Sequence, residues 1–270
     1  MRAWHNVIKY SAIVLAVLLV VGVFAGIVRL LSFFLPGFNL GNTGEWKTYE
    51  IENEIGVLDV DIHQIDLEIM TSSDSKFKVE SNYKHLTVSE QENKLLIKDE
   101  RNFFFFNVSG KAVLKLYVPE DTVFDKLDIK TGAGTADLEN LRAKTIEMDF
   151  GAGKATLMNV FVNDHAFLDT GAGKISIKDS QFNNLDLDMG VGNFEFSGLL
   201  LGKNVLRMGV GSSQIDLTGS LDDYEISIEK GLGDVRVGQD KVGNGERLGK
   251  GDREISLKGG VGSIQIDFSE

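Results

Sequence analysis

From Leu127 to Phe268 the chain alternates apolar and polar residues in short runs, and the runs are punctuated by glycine pairs. A Gly-x-Gly tripeptide returns seven times: Gly132-Ala-Gly134, Gly151-Ala-Gly153, Gly171-Ala-Gly173, Gly190-Val-Gly192, Gly209-Val-Gly211, Gly231-Leu-Gly233 and Gly260-Val-Gly262. First glycine to first glycine, the steps are 19, 20, 19, 19, 22 and 29. A period near 20 marks stacked units, each too small to bury its own apolar face. Five and three residues before the first glycine stand pairs such as Leu127/Ile129, Ile146/Met148, Leu185/Leu187 and Asn204/Leu206; thirteen of these fourteen positions are apolar. Two and four residues after the second glycine the alternation restarts, as in Ala136/Leu138, Ile175/Ile177, Phe194/Phe196 and Ser213/Ile215. The pattern predicts a half-buried strand, a glycine corner, a second half-buried strand and a polar turn in every coil. The residue between the glycines is always Ala, Val or Leu, so the corner too is expected to bury a side chain. Equivalent positions should form ladders, such as Met148-Leu168-Leu187-Leu206.

The fold class is therefore all-β: a β-solenoid or β-helix-like stack of about 20-residue coils, regular over 127–268. A β-sandwich of hairpins is the competing architecture, but constant spacing favours coils over Greek-key strands. The coil spanning 234–259 carries a polar, glycine-rich insert, Gly238–Asp252, read as a surface loop. Ahead of the repeat, Leu58, Val60 and Ile62 alternate with polar residues as a degenerate first coil. Further strands are expected at 65–70, 77–81, 95–98 and 112–118. Phe103–Phe106 are four consecutive phenylalanines, read as a buried strand or as a cap over the open end of the stack. The chain closes on Ile264-Gln-Ile-Asp-Phe268 with no evident polar cap, so self-assembly through that end is a further expectation.

The start of the chain has a different pattern. From Tyr10 to Val28 there are 19 uncharged residues, and after Arg29 the apolar run resumes. That is the length of a bilayer span, and it is too long for a signal-peptide core. Residues 1–9 are read as a short cytoplasmic N-terminus, 10–35 as a transmembrane anchor, 36–49 as a linker and 50–268 as the β-repeat domain. Arg2 and Lys9 precede the span and acid follows it, so the positive-inside rule places the domain outside a single-pass cell membrane protein. The net charge is −12, and −15 falls on residues 36–270. Such a surface disfavours nucleic acid as a partner. With no cysteine in 270 residues, disulfides and thiolate metal sites are excluded.

The leading strands, the Tyr117-Val-Pro119 step and the repeated Thr-Gly-Ala-Gly signature at Thr131 and Thr170 resemble the bacterial putative-adhesin family of β-strand-repeat domains, over roughly residues 50–268. The resemblance implies an extracytoplasmic β-solenoid-like domain, often membrane-anchored, in cell-envelope proteins, some of them encoded with envelope-stress response systems. It brings no catalytic residues.

Few residues point to chemistry. The Gly-x-Gly pairs lack the third glycine and following helix of a dinucleotide loop. Gly171-Ala-Gly-Lys174 lacks P-loop spacing, and Asp149-Phe150-Gly151 lacks every partner motif of a kinase. His5, His63, His85 and His165 show no ligand spacing. Asp149, Asp169 and Asp188 occupy one outward slot on successive coils, between Lys130 and Arg207. A row of like charges at strand spacing is a weak candidate cation ladder, and paired acids also occur in glycosidases. A solvated ladder is the plainer reading. The sequence therefore points to a membrane-anchored, non-enzymatic module for adhesion, envelope interaction or stress sensing, with no cofactor and with an envelope protein or glycan as partner. The alternatives are a polysaccharide-cleaving enzyme working through the acidic face and a self-assembling envelope scaffold.

Overall fold

The computed structural model describes residues 43–100 and 110–269. The expected anchor at 10–35 and the Phe103–Phe106 run lie outside them. Among the described residues no helix is long and apolar enough to cross a membrane.

Alternation in the sequence becomes strands throughout. They are β1 (Thr43–Glu50), β2 (Val57–Ile62), β3 (Asp66–Ser72), β4 (Lys78–Tyr83), β5 (Leu86–Gln91), β6 (Lys94–Asp99) and β7 (Val113–Pro119) in the leading half. The long strands β8 (Phe124–Glu139), β9 (Arg142–Met158), β10 (Phe161–Asn183), β11 (Leu185–Leu201) and β12 (Lys203–Thr218) each run through a glycine corner. β13 (Tyr224–Glu229), β14 (Leu232–Val237), β15 (Asp240–Val242), β16 (Arg247–Gly249), β17 (Arg253–Lys258) and β18 (Val261–Ser269) complete the order. A strand therefore begins at Thr43, inside the stretch 36–49 read as a linker. The unit made of Thr43–Phe104 and Lys111–Glu270 is all-β.

β8 to β12 pair in parallel, glycine on glycine: Gly134 opposes Gly153, then Gly173, Gly192 and Gly211. The inward positions of the repeat are buried, including Leu127, Ile146, Leu187, Ile215 and Ile266, each at most 1% exposed. The two polar inward positions, Asn204 and Ser213, are buried as well. Asn204 is satisfied in the core: its side-chain oxygen accepts from the Leu185 amide at 3.0 Å, and its NH2 donates to the carbonyls of Leu201 and Glu254. The corner residues behave otherwise. Val191, Val210, Val261 and Leu232 are all exposed, Leu232 at 77%. The expectation that the corner buries a side chain is thus corrected. With both flanking glycines pressed on the neighbouring backbone, the residue between them has only solvent to face.

The coils do not stack in chain order. β12 pairs with β17 and β18, aligning Gly211 with Gly262, and these in turn pair with β13 and β14, aligning Gly262 with Gly233. The last coil of the chain is thus inserted before the penultimate one. The longer step of 22 residues supplies the skip over one layer. Gly219 at φ 111° and a 3-10 turn at Leu221–Asp223 carry the chain past the vacated slot. The Asp223 carboxylate then accepts from the Ser220 amide at 2.8 Å, and the Tyr224 hydroxyl donates to the Thr218 carbonyl at 2.8 Å.

Both ends of the stack are closed by antiparallel strands. At the far end, the insert read as a loop folds back as β15 on β14 and β16 on β13. At the leading end, β2 and β3 form the degenerate first coil on β8, and β6 and β7 form the layer beyond it. β5 then covers β6, β4 covers β7, and β1 covers β4. Edge strands invite pairing with other chains, and here the outermost coils are covered. Self-assembly through an open end at Ile264–Phe268 therefore loses its basis, because that segment lies between two coils.

The glycine at the second corner position decides whether a layer can form. Gly192 has φ 146°, and a β-carbon there would fall on the carbonyl oxygen of Gly173. Gly238, at φ 58°, has nothing within 4 Å of such an atom. Gly192→Ala should therefore lower stability by more than about 3 kcal/mol, while Gly238→Ala should cost about 1 kcal/mol. Urea unfolding of the two variants checks this.

Candidate functional site

The three acids of the outward slot fall in register. Lys130 opposes Asp149, Asp149 opposes Asp169, Asp169 opposes Asp188, and Asp188 opposes Arg207. All three aspartates are exposed. Arg207 donates to Asp186 on the neighbouring coil. Among the described residues, no group of three or more His, Cys, Asp or Glu is arranged to hold a metal ion. Some outward charges pair between neighbouring coils: Lys126 with Glu147 at 2.7 Å, Lys144 with Asp125 at 2.7 Å, and Lys174 with Glu195 at 2.6 Å.

One polar cluster escaped the sequence reading. The Tyr83 hydroxyl donates to Asp99 Oδ1 at 2.7 Å, and His63 Nδ1 lies 3.5 Å from Asp99 Oδ2. The Asp99 side chain is only 1% exposed. His85 packs edge-on to the Tyr83 ring. These residues are scattered along the chain: the parallel pairing of β2 with β6 brings His63 to Asp99, and the turn from β4 into β5, which lies on β6, brings Tyr83 and His85. The spacing of histidines in the sequence carried no trace of it.

A cleft of about 580 Å³ lies at the turn edge of the leading layers. It is built from four turns: 51–56 between β1 and β2, 75–77 before β4, Asn93 before β6, and 119–123 between β7 and β8. Ile51, Ile55 and Phe77 form a buried apolar floor, and Val123 stands half exposed on the wall. The 51–56 loop is held from outside. Glu90 accepts from the amides of Glu52 and Asn53, and Asn93 Oδ1 accepts from the Gly56 amide. On the rim, Glu52 pairs with Lys76 at 2.6 Å. Glu54 and Asp121 are exposed and have no ion pair among the described residues. Such a volume lies in the range of ligand sites, roughly 300–1,000 Å³.

A family model for the Toastrack DUF4097 domain matches residues 55–270. The chain belongs to the Toastrack DUF4097 family. The match begins at the loop ahead of β2, so the Toastrack domain takes in the degenerate coil, the seven glycine corners and both far-end caps. Among solved structures, the chain is similar to a putative cell adhesion protein from Clostridium sporogenes, at 16% identity over 83% of this chain and 99% of that one, with a TM-score of 0.39. It is also similar to a putative adhesin from Bacteroides fragilis, at 14% identity over 84% and 100%, with a TM-score of 0.49. A third, a putative lipid binding protein from Parabacteroides distasonis, is 13% identical over 86% and 99%, with a TM-score of 0.33. No curated protein matches the sequence.

The Asp149 carboxyl is held above the usual aspartate range, first by partial burial and then by repulsion from Asp169, with Lys130 opposing both. The folded state thus binds this proton more tightly than the unfolded chain does. Its contribution to stability is complete below the ordinary aspartate pKa and is lost as pH rises through the raised one. Asp149→Asn should therefore raise the melting temperature at pH 7, and the gain should vanish near about pH 3 and shrink with added salt. Thermal melts across pH at two salt concentrations check it.

Proposed function

We propose that the chain is a membrane-anchored, non-enzymatic display module whose Toastrack domain stands outside the cell and binds an envelope protein or glycan. The observation that carries this reading is a bilayer-length apolar run, Tyr10–Val28, placed ahead of a β-stack covered at both ends. A covered stack does not extend end to end, so it offers its sides and its turn edges to partners. The adhesin names carried by similar structures agree with this reading.

Because the chain has no cysteine, single introduced thiols report topology without background. In intact cells, a membrane-impermeant maleimide should label Gln239→Cys, whereas Asn6→Cys should react only after permeabilisation. The opposite pattern would reverse the orientation, and recovery of the chain in the soluble fraction would refute the anchor. With orientation settled, the full chain should pull down one envelope component saturably from its own cells. Turnover of an envelope polysaccharide, lost in the Asp149/Asp169/Asp188 triple alanine variant, would instead favour the enzyme.

A further inference from the structure

We propose that the cleft between the 51–56 loop and the 119–123 turn binds a basic, apolar-flanked stretch of polypeptide. Three observations combine. Val123, half exposed on the wall above the nearly buried Ile51, Ile55 and Phe77, offers apolar surface to an aliphatic stem. The rim holds three carboxylates and one cation. Lys76 is bound to Glu52, which leaves Glu54 on one wall and Asp121 on the other without a countercharge. The Glu90 carboxylate and the Asn93 side chain already satisfy three loop amides, so the site is formed before any ligand arrives.

A lysine or arginine side chain suits this place. Its methylenes lie against Val123 while its charge sits between two exposed carboxylates. An apolar stem that ends in a charge is what a lysine or arginine of a polypeptide presents, and a small inorganic cation has no stem to set against Val123. Flanking apolar residues of that polypeptide would lie against Val123. The ladder of Asp149, Asp169 and Asp188 lies outside this cleft. The distinction matters because a domain of this net charge attracts any cation weakly.

This inference rests on the binding-module reading but not on the membrane orientation, so the labelling experiment and the following one fail independently. The full chain is placed in nanodiscs of zwitterionic lipid and titrated with a capped hexapeptide of alternating lysine and leucine. Hexalysine and a glutamate–leucine hexapeptide serve as comparisons. The lysine–leucine peptide should bind one to one and weaken with salt, and hexalysine should bind at least about tenfold more weakly. Glu54→Gln combined with Asp121→Asn should weaken binding about tenfold or more, while the Asp149→Asn, Asp169→Asn, Asp188→Asn triple should change it by less than about twofold. Val123→Ser should also weaken it. All the substituted side chains are exposed, and unchanged melting curves confirm that each variant folds. Equal weakening by the cleft pair and the remote triple, equal binding of hexalysine, or no binding at all would overturn the proposal.

Discussion

The contact on which the stack depends is that of one glycine corner lying directly on the next. At Gly192 the backbone takes a positive φ and approaches Gly173 so closely that no side chain fits between them. This has two consequences. The long strands continue through the corner without breaking register, so each coil imposes its alignment on its neighbour. The residue between the glycines is turned out to solvent, which leaves an exposed apolar line from Ala133 to Leu232 along one edge. Inside, each coil adds a layer of aliphatic and aromatic side chains to one continuous core, and the favourable energy of the stack comes from that burial. The glycines contribute by permitting the approach.

Repetition solves the problem of the middle and creates one at the ends. A parallel coil with no neighbour would present two bare strand edges. At the far end the chain covers them with its own insert, and at the leading end with β5 and β4, with β1 outside β4. The leading covers have a second effect. Their turns run past the end of the regular coils, and between them they leave the cleft of about 580 Å³. The cleft therefore follows from the way the stack is closed, just as ligand sites elsewhere gather where a regular scaffold becomes irregular.

Much of this was legible in the sequence. The inward positions could be read one by one, even where Asn204 and Ser213 broke the apolar rule, because their place in the repeat outweighed their polarity. The degenerate coil at Leu58–Ile62 was readable for the same reason. The order of the last two coils was not. Every coil presents the same ladder to its neighbours, so Gly211 can align with Gly233 or with Gly262 at similar cost to the local pattern. What decides is the return of the insert along the outer edge, a long-range event with no local signature beyond the 22-residue and 29-residue steps. The buried Asp99 cluster and the cleft were hidden for a related reason. Each gathers residues from turns and strands far apart in the chain, through the parallel and antiparallel pairings of the leading strands together.

The insertion of the last coil beneath the penultimate one is the most exposed element of this architecture, and cross-linking addresses it directly. Neighbouring strands bring opposed residues to about 4.8 Å, within the Cα span of a disulfide. Ser212 opposes Ser263, and Ser263 opposes Asp234. In a chain free of cysteine, Ser212→Cys with Ser263→Cys should oxidise to an intramolecular disulfide without loss of fold, while Ser212→Cys with Asp234→Cys, two layers apart, should remain reduced. The reverse outcome would mean that the coils stack in chain order, and the skipped layer, the capping insert and the closed far end would fall with it.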